Sequence, residues 1–521
     1  MKSIYFQITP SLHSMSILEH ATKAVLEKRG GALINALRAL DTRVYMGDLV
    51  AKKVLGILLE KSSIPYMTMM TTWLQSGILH DPYNEFMVKG SQPIRDHQSN
   101  TFDGDAWANL FSINEEHVLE GIVSADWTKK KVMTTGKYWV AVKACQVDTN
   151  RIQPLRESSS GPALSLNSDS SSISSYIDTM YQSASRALVR LMVDEFRLAE
   201  SLQTIKRYFL LDQGDFLMNF LDSAEVELLR ELDDISLGRI QHLLSMSIQM
   251  TESQREEVDH LMGPHKYRTS GVLLPAALRC RFADESLIIH LDNMYAGGIA
   301  ERGPRTPSRH AYGMSSKRLT GIESFSIDIP RIPFPLSLIL SHQTMENYKL
   351  LFRHLFFAKH VERRLNVVWR DHQLLKGLHS LRGLLGPTFL LRQRMLHFLQ
   401  NLIYYMSFEV IENNWTEMRS ALELSADAST SPTEKEQTVD GILDIHNEFV
   451  RRTMEACLLT NRDLVRSLTK LMNTCLLFSD QMRRFMETTK IVSCCEKSKY
   501  YYLRKSSVGL SPMFLLLANA V

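Results

Sequence analysis

At 521 residues the chain is longer than one compact core usually organises, so two or more folding units are expected. Hydrophobic residues supply 44% and charged residues 22%, which excludes a disordered chain. Sixty Lys+Arg against 57 Asp+Glu leave a formal charge of +3, too balanced for a dedicated nucleic-acid binder.

Residues Met1–Leu26 hold no signal-like apolar stretch, and the longest apolar runs, Pro333–Leu340 and Met513–Ala518, fall well short of the ~20 residues that span a bilayer. No membrane insertion is expected, and the chain reads as soluble and cytoplasmic. Its six cysteines (Cys145, Cys280, Cys457, Cys475, Cys494, Cys495) form no C-x-x-C pair and read as reduced thiols. The low Pro and Gly counts, 16 and 24, favour long helices over sheets. Three stretches read as loops: the Ser-rich Arg151–Ser175, Gly297–Thr320 and Leu424–Gln437. Between them the periodicity is helical. Leu198, Leu202, Ile205 and Phe209 share one face. Leu351, Leu355, Ala358, Val361, Leu365 and Val368 repeat the pattern, giving a helix over Tyr348–Trp369 roughly 33 Å long. Met395, Leu399, Leu402, Met406 and Val410 follow, ending near Trp415. Ile329–Pro335 holds three prolines and must be extended. The fold class is all-α.

A search for chemistry finds none. There is no G-x-x-x-x-G-K-[ST], no G-x-G-x-x-G after a strand, no H-E-x-x-H, no G-x-S-x-G and no zinc-type spacing. His354 and His360 are six residues apart and do not share a ligand face. Asp194-Glu195 and Asp233-Asp234 read as solvated faces or helix caps. Asn414-Trp-Thr416 matches the glycosylation sequon, but a cytosolic chain does not meet the transferase. The expectation is a protein that works through surfaces, with no catalysis, no cofactor and no metal. The densest aromatic and basic stretch is Leu351–Arg364. Its Phe residues read as core, whereas Arg353, Lys359, Arg363 and Arg364 cannot all be buried and are expected to meet an acidic partner.

Several segments carry a resemblance: Gly30-Gly-Ala-Leu33, Tyr45-Met-Gly-Asp48, Gly77–Val88 (GILHDPYNEFMV), Thr135-Gly-Lys-Tyr138, Ile205–Phe216, Phe334–Ile339, Leu351–Leu365, and Leu391–Leu396 continuing to Trp415. In this order, over about 25–485, they resemble the gamma-tubulin complex component family. Thr135–Tyr138 looks like the family's helix start. The resemblance implies an elongated molecule of two helical-bundle domains in tandem. Residues 1–200 would form the amino-terminal domain, with lateral contacts and a flexible Ser-rich insertion at about 151–175. Residues 201–521 would form the carboxy-terminal gamma-tubulin-binding domain, shortened, with an atypical tail after about 487. Its exposed apolar stripes would then lower solubility. The chain's start near the first motif is read as loss of the family's amino-terminal extension.

The implied function is a scaffold that binds gamma-tubulin and templates microtubule nucleation at minus ends and at microtubule-organising centres (centrosome, spindle pole or basal body). Implied partners are gamma-tubulin, other gamma-tubulin complex components, component 3 above all, and the microtubule minus end; no nucleic acid is implied. The resemblance places the gamma-tubulin surface near Phe352, Arg353, Phe356, Lys359, His360, Arg363, Arg364, Arg392 and Arg394. It places lateral contacts at Asp81, Tyr83, Glu85 and Phe86. Beside this, the residue reading has Pro82 ending a helix and Tyr83 and Phe86 filling a core. The alternative is a helical adaptor acting in membrane traffic without tubulin contact.

Overall fold

The computed structural model describes residues 2–44, 47–90, 107, 110–120, 123, 125–145, 170–262, 277–283, 285–296, 320–375, 382–426 and 438–503. The first helix, α1 (Lys2–Val25), packs on α2 (Gly30–Ala39), which runs into a π turn (Leu40–Val44), and on α3 (Leu49–Ser76). The Asp48 carboxylate caps α3 by accepting from the backbone N–H groups of Val50 (2.9 Å) and Ala51 (3.3 Å). Gly77, at φ 62°, ends the same helix in the left-handed conformation that glycine adopts at no steric cost. A short antiparallel pair follows, β1 (Val88–Gly90) with β2 (Phe111–Ile113), then α4 (Asp126–Ala144) and α5 (Ser170–Asp194). Ile17, Ile34, Leu55, Tyr66, Met70, Trp73, Val132 and Ile177 belong to the core of this first bundle.

The chain crosses to the second bundle at Glu195–Arg197. There α6 (Leu198–Phe209), α7 (Gly214–Leu228), α8 (Leu237–Met262), β3 (Arg279–Phe282) and α9 (Leu287–Ala296) precede a turn of helix, α10 (Gly321–Ser324). The strand β4 (Phe325–Asp328) pairs antiparallel with β3, Phe282 opposite Phe325. A short α11 (Leu336–Ile339) leads into the central helix α12 (His342–Leu375). Next come α13 (Arg382–Tyr404), an eight-residue π-helix (Tyr405–Glu412), α14 (Asn413–Ala426), α15 (Val439–Ala456) and α16 (Arg462–Leu503). The molecule is all-α and elongated, two bundles in tandem.

The helical stripes read from sequence are the buried ones. Leu198, Leu202, Ile205 and Phe209 are at most 4% exposed, and every apolar residue of the Leu351–Val368 series lies in the core. The helix there is longer than Tyr348–Trp369, because Met345 and Tyr348 extend the buried stripe back to a cap at Ser341, whose hydroxyl accepts from Thr344 N–H. The Ser-rich stretch is also shorter than its composition suggests. Ser170–Ser175 already belong to α5, where Ile173 and Ile177, one helical turn apart, are fully buried. Residues 151–169, 297–319, 427–437 and 504–521, the rest of the expected loops and tail, lie outside the described residues. Thr135–Tyr138 does not start a helix. It sits in the middle of α4, which begins at Asp126 because the buried stripe already includes Thr128 and Val132. Ile329–Pro335 is non-helical, as its prolines require.

Candidate protein-binding surface

Most of the expected partner-facing residues on α12 point inward. Phe352 and Phe356 are fully buried and stack on each other at 5.5 Å, and Phe325 packs against both with ring centroids 6.0 and 5.1 Å away. Arg353 is 4% exposed and gives two hydrogen bonds of 2.9 Å to the carbonyls of Glu285 and Glu323. Burial pulls its pKa down to about 10. His360 is 1% exposed. Arg363 pairs with Asp222 and Glu225 of α7, and Arg364 with Glu225 and, at 2.5 Å, Asp480 of α16. Lys359 reaches Glu362 at 3.3 Å and is the most exposed of the four cations. The expectation that Arg353, Arg363 and Arg364 meet an outside acid is corrected: Asp222 and Glu225 of α7 and Asp480 of α16 supply the acids, and Glu285, just before α9, and Glu323 of α10 supply the carbonyls. Composition alone could not show this, because long cationic side chains bury readily when paired.

The solvent-facing surface lies one helix on. Arg392 is 5% exposed, whereas Arg394 stands in solvent. From there Leu391, Arg394, Phe398, Asn401, Tyr405 and Phe408 recur at three- and four-residue steps along α13 and the π-helix, all exposed. Phe408 is 60% exposed and Leu391 44%. A groove of about 550 Å³ follows this stripe, lined by Gln393, Arg394, His397, Phe398, Asn401, Leu402 and Tyr405. The opposite face (Leu396, Leu399, Ile403, Met406, Val410, Trp415) is in the core and fixes the orientation of the stripe. A π-helix is rare and concentrates at functional sites. Here it is anchored by Glu412, which accepts from Lys206 Nζ at 2.6 Å; the same ammonium lies 5.4 Å over the Trp415 ring. Aromatic and arginine side chains in such a stripe have the composition of a binding hot spot.

The amino-terminal motifs turn out to be one packed unit. The Asp81 carboxylate accepts from Glu85 N–H (2.9 Å) and Phe86 N–H (2.8 Å) and so closes the turn. Phe86 is 1% exposed and packs 5.3 Å from Tyr66. Glu85 is half-buried over the Gly30-Gly31 pair, where a Cβ at Gly30 would lie 2.3 Å from the Glu85 carbonyl. Of Asp81, Tyr83, Glu85 and Phe86, Tyr83 alone is well exposed, at 71%. The core reading therefore holds for Phe86 and fails for Tyr83, and α3 ends at Gly77 rather than at Pro82. A surface that the sequence reading missed lies on α1 and α3, where Leu12, Met15, Leu49, Ile57 and Ile64 are each more than half exposed. Its signal was apolar residues lying off the buried stripe of each helix.

Burial pushes the thiols of Cys145 and Cys280 up to about 11 and 12, so neither is an activated nucleophile. Among the described residues no cluster of three or more His, Cys, Asp or Glu could hold a metal ion. No described helix is long and apolar enough to cross a membrane.

Comparison with known proteins agrees with this surface-based reading. A family model described as gamma tubulin complex component N-terminal matches residues 1–195, and one described as gamma tubulin complex component C-terminal matches residues 198–502. Gamma-tubulin complex component 2 of Mus musculus is 29% identical over 507 residues, covering 95% of this chain and 50% of the mouse protein. Spindle pole body component alp4 of Schizosaccharomyces pombe is 29% identical over 514 residues, covering 92% of this chain and 63% of its own length. Gamma-tubulin complex component 2 of Arabidopsis thaliana is 28% identical over 483 residues, covering 92% and 64%. The chain thus spans between half and two thirds of the length of these relatives.

Proposed function

Because the chain belongs to the gamma-tubulin complex component family, we propose that it is a scaffold subunit that binds gamma-tubulin and helps template microtubule nucleation at minus ends. The observation that carries this reading is the match of both family segments, in order, over nearly the whole chain. Its partners are gamma-tubulin, further components of the same complex with component 3 foremost, and through them the microtubule minus end. Its place is the cytoskeleton, at a microtubule-organising centre. The amino-terminal domain, about 1–200, makes lateral contacts, with Tyr83 as the exposed member of the Asp81–Phe86 turn. The carboxy-terminal domain, about 201–521, holds gamma-tubulin. The exposed stripe Leu391–Phe408, which starts at the marked Arg392–Arg394 and runs beyond it, is the contact surface, and the buried α12 residues support it from behind.

The protein contributes geometry and no covalent step. Nucleation is slow because the first subunits to associate lose translational and rotational freedom while making few contacts. A ring of spokes holding several gamma-tubulins side by side converts those encounters into intramolecular ones at high effective concentration. A helical tether in membrane traffic finds no support among these relatives.

The test is co-purification. Tagged chain should retrieve gamma-tubulin and other components from extract of its own cell. Phe398→Ala combined with Phe408→Ala should lower gamma-tubulin recovery roughly tenfold or more, the scale of two hot-spot truncations, with an unchanged melting temperature. Undiminished recovery would remove the stripe as the contact surface; no recovery by the native chain would remove the function.

A further inference from the structure

One helix joins the two bundles to the exposed stripe. The 18-residue α15 spans roughly 27 Å at 1.5 Å per residue. Its first turn lies against the amino-terminal bundle. There Asp440 Oδ1 accepts from the Tyr138 hydroxyl of α4 at 2.7 Å, and Asp440 Oδ2 accepts from the Tyr181 hydroxyl of α5. Beside them Val439 N–H donates to Ser185 Oγ of α5 at 2.7 Å, and Ser185 is fully buried. Both phenols are under 8% exposed, and their rings lie 6.1 Å apart. Burial and the Asp440 carboxylate hold both phenols protonated, so each remains a donor.

The middle of α15 grips the second bundle. His446 Nε2 meets the Tyr348 hydroxyl of α12 at 2.9 Å, and Phe449 packs edge-on against Trp415 at 5.6 Å. Its last residue reaches the stripe, where the Ala456 carbonyl accepts from the Tyr405 hydroxyl at 3.4 Å. The covalent crossing between the bundles is a single turn whose Arg197 sits at φ 45°, a left-handed conformation unusual for a residue with a side chain. The apolar core runs across this crossing, from Tyr138, Tyr181 and Leu188 into α6 and α12, and the charge-assisted pair of hydrogen bonds from Asp440 adds to that non-directional packing a directional latch.

We infer that Asp440 is a positioning residue: by holding Tyr138 and Tyr181 together it fixes the angle between the bundles and, through α15, the direction in which the Leu391–Phe408 stripe faces. The functional part of this inference rests on the scaffold reading above, since a template works only if each spoke presents its cargo at a set angle. The latch itself rests on geometry alone. A rigid 18-residue strut with both ends in contact carries a rotation of the amino-terminal bundle directly to the stripe.

The experiment places distance labels at the exposed Lys61 on α3 and Glu417 on α14 in the full chain, and compares native protein, Asp440→Asn, and the Tyr138→Phe/Tyr181→Phe pair. The phenylalanine pair keeps both rings and removes only the hydroxyls, so it reports the latch even if Asp440→Asn folds poorly. The expected result is a shifted and broadened distance distribution in the variants. The closed-to-open ratio should fall roughly tenfold or more, the contribution of one hydrogen bond to a charged group. Gamma-tubulin retrieval per folded chain should be unchanged, and nucleation by the assembled complex reduced. Distances identical to native in the phenylalanine pair would overturn the latch. Altered distances with no gamma-tubulin retrieved by any version would uphold the latch and overturn the scaffold reading.

Discussion

Single residues show why the shared motifs take the form they do. In Thr135-Gly-Lys-Tyr138, Gly136 lies where α4 crosses α3, and a Cβ there would sit 1.9 Å from Cε2 of Trp73. That indole is fully buried and donates to the Val132 carbonyl at 2.9 Å, so it has nowhere to move. Gly136→Ala should therefore cost about 2–3 kcal/mol, the usual penalty of overpacking, read as a lower urea midpoint with unchanged slope. Three buried histidines carry a pH prediction. Burial pushes His354 and His446 down to about 4 and His360, which also faces Arg363 and Arg364, to about 3, from an ordinary 6.5. A base whose folded pKa lies below its unfolded value contributes stability that is complete above 6.5 and is lost as the pH falls through the folded value. The urea midpoint should fall steadily from pH 6.5 toward pH 4, the unfolded chain taking up an extra proton at each of these rings and at the buried His372, which is also pushed down to about 4. A flat profile would contradict the burial of these rings, and His354→Gln should reduce the slope.

At the level of elements, helices whose apolar stripe was continuous were legible in the sequence, because burying a stripe is what stabilises a helix in a protein. That held for α6, for α12 and for the run from Met395, although the last does not end near Trp415 as expected and continues as helix to Ala426. The π-helix inside that run was not legible: Met406 and Val410 still fall on the buried face, so the wider turn leaves no mark in the apolar spacing. The exposed stripe proposed as the contact surface lies one helix beyond the densest stretch that the sequence marked. Aromatic and basic residues marked α12 and α13 alike, and only the ion pairs from α7 and α16 decide which cations are covered. The acids that neutralise α12 come from 138 to 141 residues earlier and 116 later in the chain, beyond any local pattern. Glu225 is the keystone of that cluster, touching both Arg363 and Arg364. Glu225→Ala leaves two largely buried guanidiniums short of a partner and should cost about 3 kcal/mol. Calorimetry checks this, and a change under 1 kcal/mol (roughly the value of an exposed pair) would mean the cluster is solvated.

For the whole molecule, tandem bundles predict an extended particle. A compact chain of this length would have a radius of gyration of about 24 Å, and small-angle scattering should give a clearly larger value. The seam between the matched family segments falls at 195–198, yet the larger core does not stop there. Tyr138, Ala141, Tyr181, Ala184 and Leu188, all amino-terminal to it, share that core with α6, α12 and α15. A gene cut at the seam would thus divide one oil-like interior between two products, each with a raw apolar face. Expressed apart, the halves should precipitate or collect chaperones; expressed together, they should find each other and stay in solution.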